Sequence, residues 1–293
     1  MPKRHLTPES RFDLRQALHM ATLDALMASR RWNPGQLIFQ GGTSLHLVHG
    51  SPRFSEDLDF LVSESLDLSS LNRSVGDRLG VTVSSWLPSG TTLAVKKSRD
   101  DHNPFSFVVS VGGEQVLGAV RVKVEFWRAN ALAVAQTGAI VSAVRLASGP
   151  ASGTQTFVPA ATRQEILTDK VFALAARPYL KPRDIFDLYW LVSQGVPAQS
   201  VRAQDMQTRF ATYPDMSASQ WTQKAAHRLK EVPCQLTNIQ ADLKRWLPSS
   251  WPLDSVLVQE MIDVSMTELR QGLRVVQEIP RKRRQDRVSF SPE

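Results

Sequence analysis

Apolar residues recur at helical spacing near the start of the chain, at Leu14, Leu18, Ala21, Leu23, Leu26 and Met27, and predict a helix over residues 7–30. Thr7 and Pro8 suit its N-cap and first turn, and Trp32-Asn33-Pro34-Gly35 breaks it. Beyond the break the period falls towards two. Leu58, Phe60 and Val62 alternate with Asp57 and Asp59, and Val120, Val122, Val124 and Phe126 alternate with Arg121, Lys123 and Glu125. Each run reads as a strand with one packed face and one charged face. Val81–Val83, Thr91–Val95 and Ser106–Val111 are expected to be further strands, and Leu66–Leu79 a helix. Residues 130–160 suggest short strands and loops, with Ser148–Gly153 as an inter-domain linker. From Thr162 the spacing is helical again, opened by a Thr162/Glu165 capping box. Met206–Thr212, Ala218–Leu229, Gln235–Leu247 and Leu253–Val276 continue it, with Trp221, Trp246 and Trp251 as core anchors. The pattern predicts an α/β (α+β) chain: a mixed sheet over residues 1–150, then a mainly helical part over 151–293.

Candidate chemistry concentrates between Phe39 and Val62. Asp57 and Asp59 share one face of a strand, so their charges repel and call for a divalent cation or a shared proton. Just upstream, Gly41 and Gly42 permit a tight turn and close approach to a ligand, and Thr43 or Ser44 is expected to cap the helix that follows. Such a turn, with Arg53 and Ser55 beside it, suits phosphate. No Gly-Lys-Ser/Thr follows the glycines and no G-x-G-x-x-G is present, which excludes a P-loop and a dinucleotide fingerprint.

The run GGTSL followed by RFSEDLDF resembles the nucleotidyltransferase superfamily with a DNA-polymerase-β-like core. More narrowly it resembles the AbiEii/MenT toxins of toxin–antitoxin and abortive-infection (phage defence) systems. Val122–Phe126, Glu165–Lys170 running on to Arg177, and Arg183–Leu188 fit the same resemblance. It implies a polymerase-β-like core with a helical C-terminal domain and transfer of NMP from an NTP to RNA. The acceptor it implies is the tRNA 3′ end, where added nucleotides block charging. By the same resemblance Asp57, Asp59 and Glu125 hold Mg²⁺ (or Mn²⁺), and Lys170 binds the triphosphate. Gly41, Gly42, Thr43, Ser44, Arg53 and Ser55 are the further nucleotide-binding candidates. Asp184 or Asp187 is an acid needed for activity, and the sequence does not choose between them. A cognate antitoxin is the implied partner. Transfer of a nucleotide or phosphate to a protein hydroxyl, Ser55 included, and a non-catalytic NTP- or RNA-binding module are the alternatives.

Composition adds bounds. A hydrophobic fraction of 42% with 22% charged residues is that of an ordinary globular protein. The net charge of +7 favours a polyanionic partner. The single Cys234 excludes an internal disulfide and is expected as a small buried hydrophobe in a cytoplasmic protein. No apolar run approaches the roughly 20 residues of a membrane span, and no apolar stretch follows the first charges. His102, in the Asp100–Pro104 turn, is a minor metal candidate. The basic tail Arg281–Arg287 reads equally as a phosphate grip and as an inert end.

Overall fold

The computed structural model describes residues 4–99, 103–114, 116–146 and 149–279; His102 and the basic tail lie outside them. The chain opens with β1 (Arg4–His5), α1 (Pro8–Ser29), β2 (Leu37–Gln40), α2 (Gly41–Leu47), β3 (Leu58–Ser63) and α3 (Leu71–Val83). β4 (Thr92–Arg99), β5 (Phe105–Gly113) and β6 (Val116–Ala129) follow, then α4 (Ala131–Gln136), β7 (Ala139–Arg145) and β8 (Gln155–Ala161). The helical part comprises α5 (Arg163–Ala176), α6 (Pro182–Ser193), α7 (Ala203–Thr212), α8 (Ala218–Glu231), a 3-10 turn (Val232–Gln235), α9 (Leu236–Leu243) and α10 (Ser255–Glu278).

The strands form one mixed sheet in the order β4-β5-β6-β3-β2-β8-β7, with β1 added alongside β6. β3 and β6 run parallel, as do β2 and β8, while β2 and β3 are antiparallel. Alternation along the strands divides the apolar side chains between two cores. Leu37, Phe39, Leu58, Phe60 and Val62 face α1 and α3, whereas Ile38 and Leu61 join the core built by α5, α6 and α10. Register then sets two rows across the centre. Phe39, Phe60, Phe126 and Phe105 are successive cross-strand neighbours on the packed face, and Phe60 stacks on Phe126 at 5.1 Å. One residue along, Gln40, Asp59, Glu125 and Ser106 are neighbours on the other face. The hydrophobic row fixes the register, and the register assembles the polar row.

Several local expectations are corrected. Val81–Val83 is the last turn of α3, because Val75, Leu79 and Val83 continue one buried helical stripe. That helix starts at Leu71; Leu66 and Leu68 are buried in the loop before it. Residues 149–153 of the expected linker instead lie between β7 and β8, which pair along their full lengths while β8 also pairs with β2; Ser148 lies outside the described residues. We therefore propose that the division between sheet and helices falls after β8. α4 was not foreseen; Asn130 caps it by accepting from the Leu132 amide at 2.9 Å. Thr162 does cap α5, accepting from the Glu165 amide at 3.2 Å, but the Glu165 carboxylate turns to Arg209 at 2.5 Å and leaves the box half made. Trp221 is a buried anchor, whereas Trp246 and Trp251 are only partly buried and Cys234 is exposed.

Candidate active site

The polar row opens into a cleft of about 280 Å³ between the sheet and the helical part. Asp57, Asp59 and Glu125 line it together with Gly41, Gly42, Arg53, Ser55, Lys170 and Asp184. Asp59 and Glu125 stand opposite each other on parallel strands, and Asp57 immediately precedes β3. Their charges interact. Burial first, then Glu125 and Asp57, push the Asp59 carboxyl up to about 6. Burial, Glu125 and Glu56 raise Asp57 as well. Glu125 is met by Lys123 at 2.7 Å on the same strand face.

The turn from β2 into α2 places its glycines against the site's own side chains. Gly41 has φ +79°, and a Cβ there would lie 2.6 Å from Asp59 Oδ2. A Cβ on Gly42 would lie 2.3 Å from Arg53 Nη2 and 3.0 Å from Ser55 Oγ. The glycines thus let Asp59 and Arg53 approach the backbone. Thr43 and Ser44 do not cap α2, whose N-cap is Gln40, because both are drawn into the helix and fully buried. The Thr43 hydroxyl donates to the Asp57 carbonyl and so ties α2 to the acidic strand, while Ser44 Oγ has no hydrogen-bond partner among the described residues. Neither side chain forms part of the cleft wall.

Behind the cleft, the helical motif residues neutralise one another. Asp187 accepts from Arg53 Nε at 2.6 Å and Nη2 at 2.9 Å, and pairs with Lys170 Nζ at 2.7 Å. Asp184 accepts from Lys170 Nζ at 2.8 Å and from Arg177. Burial alone would raise both carboxyls; the Lys170 and Arg177 charges hold Asp184 below the usual carboxylate range, and Arg53 and Lys170 do the same for Asp187. Lys170 is raised despite its burial, because the two aspartates favour its charge. The 14-residue spacing of Lys170 and Asp184 reads from sequence as two separate solvated faces; in the fold it is one buried lattice. Lys170 and Arg53 are thereby held by carboxylates.

Two other cations in the cleft wall are not. Lys181 lies over the Tyr179 ring at 5.9 Å and Arg183 over Trp246 at 4.0 Å, and among the described residues neither side chain makes a salt bridge or hydrogen bond. Burial, then the Arg177 charge, with Arg183 and Lys170 adding to it, push Lys181 down against the opposing pull of Asp184. Such a surplus of positive charge beside a cleft favours an anion. Sequence reasoning did not single out Lys181, nor Asp169, Trp127 and Tyr213, which also line the cleft. A Lys-Pro-Arg step has the composition of a solvated loop.

The family model for the nucleotidyl transferase AbiEii toxin of type IV toxin–antitoxin systems matches residues 24–257. The chain belongs to the AbiEii family. Its fold is shared with two solved structures. A candidate nucleotidyltransferase from H. pylori is 16% identical with a TM-score of 0.51, covering 94% of this chain and 100% of the other. The nucleotidyltransferase toxin MenT4 from Mycobacterium tuberculosis is 17% identical with a TM-score of 0.50, covering 94% of this chain and 87% of its own. No curated protein matches the chain. The AbiEii match spans every motif read from the sequence, so the chain is a nucleotidyltransferase toxin of this family.

For an AbiEii nucleotidyltransferase the question is whether the acidic row suits a divalent cation. Among the described residues no three His, Cys, Asp or Glu side chains already converge at metal-ligand spacing. The donor set is nonetheless suited: burial and then Glu125 raise both Asp57 and Asp59, and Asp57 adds to the rise at Asp59, a strain that a divalent cation would relieve. Mg²⁺ takes one or two carboxylates and completes its shell with substrate phosphates and water. No helix among the described residues is long and apolar enough to cross a membrane.

Proposed function

We propose that this chain transfers NMP from an NTP to an RNA hydroxyl, at the tRNA 3′ acceptor end, and so blocks translation until a cognate antitoxin opposes it. The observation that carries this is one cleft with carboxylates on its sheet wall and unneutralised cations on its helical wall. Asp57 and Asp59, with Glu125 beside them, would hold Mg²⁺, which supplies charge neutralisation at the α-phosphate and acidifies the attacking hydroxyl. Lys181 and Arg183 hold the β- and γ-phosphates and stabilise the charge that develops as pyrophosphate leaves. Lys170 acts from behind. Fixed between Asp184 and Asp187, it orients α5 and α6 and adds positive potential to the cleft floor. The net charge of +7 supports RNA as the acceptor.

Purified protein is incubated with Mg²⁺, total tRNA and each α-³²P-labelled NTP in turn, with Asp57→Ala as control. Label on tRNA from the wild type alone is the expected result, and it reveals the preferred base. Label on the protein instead would move the acceptor to a protein hydroxyl, for which Ser55 in the cleft wall is placed. Absence of label on either, with NTP bound, would overturn the reading. The phosphate roles carry their own prediction. Lys181→Gln with Arg183→Gln is expected to weaken NTP binding about a hundredfold or more, each charge-assisted contact contributing roughly 1.5–3 kcal/mol. The melting temperature should hardly change, since neither cation is in the buried lattice. Steady-state KM, backed by direct titration, reads the effect.

A further inference from the structure

We infer that the base of the incoming nucleotide stacks in an apolar groove that continues from the cleft, with Trp127 and Tyr213 as its platform. The inference rests on the nucleotidyl-transfer reading and assigns the part of the substrate which that reading leaves unplaced. The groove, of about 450 Å³, runs between the end of β6, the last turns of α5 and the segment after α7. Trp127, Asp169, Arg177 and Tyr213 line both groove and cleft, so the two form one continuous space. Only a ligand with an anionic part and a flat apolar part uses both, and a nucleoside triphosphate has that build.

The aromatic side chains are arranged to offer ring faces, not polar edges. Trp127 lies two residues beyond Glu125 on β6, hence on the same strand face as the acidic row. Its Nε1 donates to the Thr212 carbonyl at 2.8 Å, and the Tyr213 hydroxyl donates to Asp169 Oδ1 at 3.0 Å. With their polar atoms satisfied inside the protein, the rings are tilted against each other at 5.1 Å and 51°, and both line the groove. Phe172 stacks against Tyr213 at 5.4 Å and supports it from the α5 side. Rings fixed in this way can stack on a base without first being ordered.

The test is calorimetric titration of the full chain, with Mg²⁺ present, by inorganic tripolyphosphate and by each of the four NTPs. The wild type is expected to bind at least one NTP about tenfold or more tighter than tripolyphosphate, the range given by a base stacked on an aromatic ring. Trp127→Leu, which keeps apolar bulk but removes the flat ring, should lose most of that difference while binding tripolyphosphate as before. Trp127→Phe should keep most of it. Equal wild-type affinity for NTP and tripolyphosphate would overturn the groove assignment and leave nucleotidyl transfer standing. So would a Trp127→Leu protein weakened alike towards both, or one that loses only binding of an RNA oligonucleotide, since the groove would then hold the acceptor's end. A wild type that binds neither NTP nor tripolyphosphate would instead remove the parent reading.

Discussion

Asp187→Ala is expected to destabilise the fold by about 3–5 kcal/mol, the range for removing one partner of a buried ion pair. Asp187 is completely buried and is the carboxylate that pairs with both Arg53 and Lys170. Without it, among the described residues, the Arg53 guanidinium keeps only the Phe54 carbonyl, at 2.8 Å, and Lys170 keeps only Asp184. Two buried cations would then face each other with one acid between them and Arg177. Asp184→Ala should cost less, because Arg177 is the more exposed cation and can turn to solvent. The denaturant midpoint at neutral pH, followed by circular dichroism, ranks the two. A loss below about 1 kcal/mol for Asp187→Ala would mean that water reaches the lattice and replaces the acid. The sign of the pH dependence follows from the same contacts. Folding depresses both aspartate pKa values, so their stabilisation is present above the ordinary carboxylate pKa. It is lost as pH falls below that value towards the depressed ones. Acid unfolding of the wild type should thus carry a component that Asp187→Ala lacks.

This lattice also shows where sequence reading stops. Period-two alternation was enough to set Asp59 apart from Phe60 and Glu125 apart from Phe126, because in a strand each residue's face follows from its neighbour's. That Asp59 and Glu125 then stand opposite each other depends on the register of β3 against β6, which the aromatic row decides. Helical spacing likewise placed Lys170 with Arg177 and Asp184 with Asp187, but each pair on its own helix. Only the packing of α5 on α6 turns two charged faces into one ion-paired interior. Lys181 is not singled out by the sequence, and Arg183 enters only as the start of a motif, for the converse reason: what distinguishes them is that neither makes a salt bridge or hydrogen bond among the described residues, a property no local pattern encodes. Helix α3 was misread at its end because Val81-Thr82-Val83 is β-branched. The buried stripe of Val75, Leu79 and Val83 overrides that propensity.

Asp59→Asn is expected to lower nucleotidyl transfer by roughly three orders of magnitude or more, the several kcal/mol that metal-held charge stabilisation supplies. The same substitution should make the metal-free protein more stable, by an amount that depends on pH. Folding raises the Asp59 pKa from 3.8 to about 6, so the folded state holds this proton more tightly than the unfolded chain. Between those values the wild type loses stability as pH rises, because an ionised Asp59 must sit half-buried beside Glu125 and Asp57. Asparagine never ionises. Its advantage should therefore be small near pH 4, grow through pH 6 and level off above it at about 2–3 kcal/mol. Thermal melts of both proteins at pH 4 and pH 8 without divalent ions measure this difference. Mg²⁺ then separates the two possible origins of the strain. If the acidic row is built for a cation, Mg²⁺ at pH 8 raises the wild-type melting temperature and leaves Asp59→Asn nearly unmoved. If both proteins respond alike, Asp59 is a buried acid without a metal, and Asp57 with Glu125 must hold the ion. A stability that falls on substitution would show that Asp59 is already neutralised in the free protein, with Lys170 and Arg177 as the charges near enough to do it.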